Sequence, residues 1–76
     1  MDTVSRLMEI ENNAFDVLPS KDEEIARIEQ QMREEILAAG LADKITLEDL
    51  VILTVNNYHT VCRAAERVMH EAKNKK

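Results

Sequence analysis

Residues 47–72 read LEDLVILTVNNYHTVCRAAERVMHEA, and this stretch decides the fold. Leu47, Val51, Thr54, Tyr58, Val61, Ala65, Val68 and Ala72 recur in alternating steps of four and three. A mean step of about 3.5 lays them along one seam of a continuous helix. Val55, Cys62 and Met69 widen the seam, while Ile52 and Leu53 load the opposite side of its first turns. A helix apolar on more than one side needs more than one neighbour to bury it. The chain therefore reads as a helix-packing protein whose seam meets other copies or a partner.

Working back toward the N-terminus, Thr46 and Asp49 form a capping pair that opens this last helix. Gly40 sits where a left-handed C-cap belongs, with Leu41 placed for the accompanying apolar contact. Between Pro19 and Gly40 lies a second helix, predicted over residues 20–39, with Ile25, Ile28, Met32, Ile36 and Ala39 on one face. Ser20 with Glu23 reads as a capping box at its start. Glu23–Arg27 and Glu29–Arg33 are four apart on its wet side. The short connection of residues 41–45 makes the second and third helices antiparallel neighbours.

The first eighteen residues admit two readings. Val4, Leu7, Met8, Ala14, Phe15 and Leu18 make a helical stripe over residues 3–18, which Asp2 or Thr3 caps. Met8 and Ile10 alternating with Glu9 and Glu11, then Phe15 and Val17 after an Asn12–Asn13 turn, instead suggest a β-hairpin over residues 6–18. An isolated two-stranded ribbon is marginal, so the helix is preferred. The expected fold is all-α: one domain of residues 1–76, built as a long antiparallel helical hairpin (20–39 and 46–72) with a shorter N-terminal helix and a basic tail at 73–76.

Composition fits this reading. One glycine, one proline and few aromatics suit long helices with short joints. A chain of 76 residues buries only about 60% of its unfolded surface, so its core is marginal without help. A single cysteine excludes an internal disulfide, which leaves another chain as the staple. Residues 1–50 hold thirteen acids and five bases, a net of −8; residues 51–76 hold two acids and five bases, a net of +3. This asymmetry favours antiparallel or head-to-tail contacts between copies. Its plainer reading is acids near helix starts and Lys73, Lys75 and Lys76 at a helix end. The bases form no strip of the kind direct nucleic-acid binding requires. No apolar run approaches 18 residues and no leader is recognisable, so no membrane contact and a cytoplasmic location are expected.

Little in the sequence carries chemistry. His59, Cys62, Glu66 and His70 share one side of the last helix, and each residue type ligates zinc. One straight helix cannot wrap an ion with four such ligands. At most Glu66 and His70 share a metal whose other ligands come from a second chain. The simpler reading is a solvated face with Cys62 as a small hydrophobe, so no cofactor is expected. A single glycine rules out a glycine-rich phosphate loop, and nothing marks an orienting partner for a Cys62–His59 dyad. Asn56 and Asn57 mark where the last helix meets water. The expectation is a non-enzymatic interaction module, a small regulator, adaptor or inhibitor. It packs on itself as a homodimer or higher oligomer, and on another protein, through Leu47, Val51, Tyr58, Val61, Ala65 and Val68. An acidic decoy that fills a basic site on a target protein is the alternative.

A further reading comes from motif order. IENNAFDV at residues 10–17, an acidic helix containing MREEI at 32–36, and a last helix opening LVILTVNN at 50–57 resemble the ZapA family. Those proteins associate with the division Z-ring, oligomerise through helices and crosslink FtsZ filaments. The resemblance spans most of the chain and implies an N-terminal hairpin and a filament partner. The sequence departs from the family pattern in two places: the hairpin has no turn glycine, and the long coiled-coil tail has no counterpart.

Overall fold

The computed structural model of the chain describes residues 2–15 and 21–74. These residues form four helices: α1 (Thr3–Ala14), α2 (Asp22–Ala38), α3 (Leu47–Val55) and α4 (His59–Asn74). No strand is present among the described residues.

The N-terminal segment is helical, so the hairpin alternative is not formed over residues 3–14. Asp2 caps α1, its carboxylate accepting the Ser5 N–H at 2.7 Å. Those bonds from Ser5 hold the Asp2 carboxyl below the 3.8 usual for aspartate. Leu7 is fully buried, with Val4, Met8 and Ile10 against the core. A helix gathers these four side chains on one flank, whereas strand alternation would send Leu7 and Met8 to opposite faces. The rest of the expected helix, residues 16–18, lies outside the described residues, as does Ser20. The described start of α2 is Lys21, an extended residue that makes no capping bond through its side chain. The helix thus begins at Asp22, one residue later than the Ser20–Glu23 box predicts. Asp22, Glu23 and Glu24 fill its first turn, where carboxylates complement the helix dipole.

α2 closes as predicted. Gly40 takes φ 71°, its N–H donates to the Leu37 carbonyl at 3.1 Å, and the Leu41 N–H donates to the Ile36 carbonyl at 3.2 Å. This is a Schellman closure, and its two flanking side chains, Ile36 and Leu41, are both buried. Thr46 then opens α3 with a reciprocal box, Thr46 Oγ1 accepting from the Asp49 N–H and Asp49 Oδ2 accepting from the Thr46 N–H.

The helix predicted over 46–72 is two helices. Asn57 takes φ 64°. Its N–H donates to the Thr54 carbonyl at 3.1 Å, and the Tyr58 N–H donates to the Leu53 carbonyl at 2.8 Å. The closure after α2 is repeated here with asparagine in the glycine position, asparagine being the other residue that tolerates that conformation. The Asn56 amide adds a bond to the Ile52 carbonyl at 2.8 Å. The reversal lets Leu53 enter the core, where it is fully buried. A straight helix would hold Leu53 away from it.

With the extra reversal the topology also changes. Glu29 on α2 pairs with Arg63 and Arg67 on α4, and one turn further along both helices Arg33 pairs with Glu71. α2 and α4 therefore lie side by side and run the same way. α3 packs antiparallel on α4: the Cys62 thiol lies 3.5 Å from both Thr54 Oγ1 and the Leu50 carbonyl, and Leu47 meets the Met69 end. α2 and α3, expected as antiparallel neighbours, do not pack on each other. α1 touches all three other helices.

The core consists of Leu7, Met32, Ile36, Leu41, Ile45, Leu53, Val61, Ala64, Ala65 and Val68. Leu41 and Ile45 come from the connection between α2 and α3, so that short loop is itself part of the packing. α4 begins with a cap supplied from elsewhere. Glu11 of α1 places Oε1 2.9 Å from the Val61 N–H, satisfying one of the open donors at that helix start. None of the helices is long and apolar enough to cross a membrane, among the described residues.

Candidate interaction surface

The break at Asn57 divides the seam into halves with opposite surroundings. Beyond it, Val61, Ala65 and Val68 are buried in the chain's own core. Before it, Leu47 is 72% exposed and Val51 61%, and Val55 joins them at 74%. These three are spaced four apart and form one apolar strip along α3. Ile52, 43% exposed, widens it. Tyr58 sits at the junction, half-buried against the core. Of the six predicted contact residues, three are therefore interior within one chain, two are open and one lies at the border.

The strip arises from the length of α3. Nine residues give two and a half turns, and the side facing α1 and α4 is taken by Leu50 and Leu53. The opposite side is left with Leu47, Val51 and Val55, which nothing among the described residues covers. A small recess of about 380 Å³ lies on it, lined by Leu47, Glu48, Val51 and Ile52. From Leu47 the surface continues into an open groove of about 740 Å³ running along α4. There Leu50 and Met69 supply apolar floor, and Glu66, His70 and Lys73 supply polar edges. On the far rim Arg63 and Arg67 are held by Glu29, at 2.8 and 3.5 Å. Glu29 and Arg33 thus reach across to α4 instead of pairing along α2.

The residues considered for metal binding are spread out. His59, Glu66 and His70 are exposed and Cys62 is half-buried. No group of three possible ligands gathers among the described residues. Cys62 instead makes its short contacts to Leu50 and Thr54 across the α3–α4 reversal.

Two features of this surface escaped the sequence pattern. The heptad spacing puts Val55 on the flank of the seam, yet it is 74% exposed. The heptad spacing masked the break because it runs through Asn56–Asn57 without a missed step. The readable signal was the asparagine pair itself, which can close a helix without glycine. Comparison of the chain with family models, curated proteins and solved structures yields no match.

Proposed function

We propose that this chain is a non-enzymatic interaction module that associates with a second copy of itself, and through it with other proteins, by packing the apolar strip of α3. The observation that carries this reading is the exposure of Leu47, Val51 and Val55 beside a core that is otherwise filled. Large aliphatic side chains aligned on one helix face mark a docking surface more often than scattered exposed ones do.

Magnitudes bound the strength. Covering three such side chains on each of two copies gains on the order of 10 kcal/mol gross. Association itself removes roughly 4–15 kcal/mol. Strip-on-strip contact therefore nets at most about 6 kcal/mol, a weak, exchanging dimer whose dissociation constant is no tighter than tens of micromolar. The strip's direction suits an isologous pair, in which the same residues face each other across a twofold axis.

The decoy reading finds less support, because Glu29 and Glu71 are engaged with arginines of the same chain. The ZapA-like reading loses the hairpin on which it rested, since residues 3–14 are helical.

Light scattering across a hundred-fold dilution, with wild type and Val51→Asp side by side, tests the proposal. The expected result is a concentration-dependent dimer for wild type and a folded monomer for the variant. A wild-type protein monomeric at every concentration, or a variant that dimerises equally well, overturns it.

A further inference from the structure

The apolar pattern of residues 47–72 continues through the break at Asn57 as though the break were absent. Leu47, Val51, Thr54, Tyr58, Val61, Ala65 and Val68 keep their steps of four and three on both sides of it. With those residues at the a and d positions of a heptad, Asn56 and Asn57 fall at f and g, the wet side of a straight helix. Neither glycine nor proline occurs from Leu41 to the end of the sequence. The turn is instead carried by an asparagine at φ 64°. The most exposed aliphatic residue, Val55, lies two residues from that turn.

We propose that Asn56–Asn57–Tyr58 is a hinge, and that α3 and α4 straighten into one helix whose α4 half is exchanged with a second copy of this chain, α1, α2 and α3 moving together because the short connection that places Leu41 and Ile45 in the core ties α2 to α3. The proposal rests on the self-association put forward above and specifies its form. Straightening withdraws α4 from its seat, where Val61, Ala65 and Val68 are buried and Cys62 meets Leu50. A second copy supplies an identical α4 for the seat on α1, α2 and α3, so exchange restores the contacts between helices but not the bonds of the turn itself or the Glu11–Val61 cap. It also lays the two long helices side by side and antiparallel, α3 of each on α4 of the other. The acidic start of each helix, Glu48–Asp49, then lies along the more basic half of the other, which carries Arg63 and Lys73. Glu11 acts as the latch of the closed form. It holds the Val61 N–H, which in a straight helix is taken by the Asn57 carbonyl.

Substitutions at Asn57 move the hinge in opposite directions. Asn57→Ala penalises the left-handed turn and favours continuous helix. Strain of this size is worth about tenfold per hinge, hence roughly 100-fold in the dimer constant with two hinges. Asn57→Gly relaxes the turn and lowers the dimer constant several-fold. Spin labels at Glu48→Cys and Lys73→Cys, with Cys62→Ala, read the geometry when labelled chains are diluted into excess unlabelled protein. Closed chains hold the two sites at one end of the bundle, while a straight helix separates them by about 37 Å. A tighter Asn57→Ala dimer showing the long intrachain distance is expected. A dimer that keeps the short distance overturns the hinge and leaves strip docking standing. Absence of any Asn57→Ala dimer at millimolar concentration overturns the hinge as well. Should Asn57→Ala not fold, Asn57→Gly decides, and a dimer constant equal to wild type overturns the proposal. If wild type does not associate but Asn57→Ala forms the long-distance dimer, strip docking fails while the hinge stands.

Discussion

α3 and α4 share one heptad pattern and are joined by three residues, yet α4 buries its share of the pattern while α3 displays it. Val61, Ala65 and Val68 are buried in the core, whereas Leu47, Val51 and Val55 are exposed. The difference lies in the reversal, which turns α3 over so that Leu50 and Leu53, off the seam, become its inward side. A periodic apolar pattern thus states which residues share a face, and the turn between two helices decides what that face meets.

The strongest way to sharpen this contrast is to place the same charge on both halves. Val61→Asp strands a carboxylate in the core and is expected to cost about 4 kcal/mol, enough to unfold a domain of this size. Val51→Asp puts it in water and is expected to change stability by no more than about 0.5 kcal/mol while abolishing self-association. Urea denaturation followed by circular dichroism compares the two directly. Equal losses from both would show that the halves are equally buried and would break the distinction.

The two helix closures come next. Gly40 and Asn57 make the same pair of bonds at φ 71° and 64°. Open space surrounds Gly40 where a Cβ would stand, so Gly40→Ala acts through backbone strain alone, about 1 kcal/mol. Asn57→Gly is expected to raise stability by a few tenths of a kcal/mol, its sign opposite to Gly40→Ala. Thermal denaturation resolves both shifts.

Glu11→Ala removes the cap of α4 while leaving α3 untouched, and about 1 kcal/mol of destabilisation is expected. The Val61 amide resonance should move with it; an unmoved resonance would show that the cap does not form in solution. The smallest effect belongs to Asp2. Its carboxyl is depressed in the folded state, so its contribution is full above 3.8 and is lost as pH falls through the lower folded value. An acid titration followed at the Ser5 amide should show α1 fraying at its first turn in that window.

The all-α class, the Gly40 closure, the Thr46–Asp49 box and the faces of α1 and α2 were legible because each rests on neighbours three or four residues apart. The split of the last helix was not, since Asn57 gives the same local signal whether it ends a helix or sits on its wet side. The pairing of Glu29 with Arg63 and Arg67 was hidden for a different reason: local spacing offered Arg33, and only the parallel packing of α2 on α4 offers the others. The candidate surface was half legible. Leu47 and Val51 were named from their spacing, but separating them from Val61, Ala65 and Val68 required the reversal.

The bond from Glu11 to the Val61 amide joins residues 50 positions apart. The first turn of α4 therefore has one of its open donors satisfied only when α1 is docked on it. The hydrogen-exchange rate of that single amide reports on α1 docking from the far end of the chain.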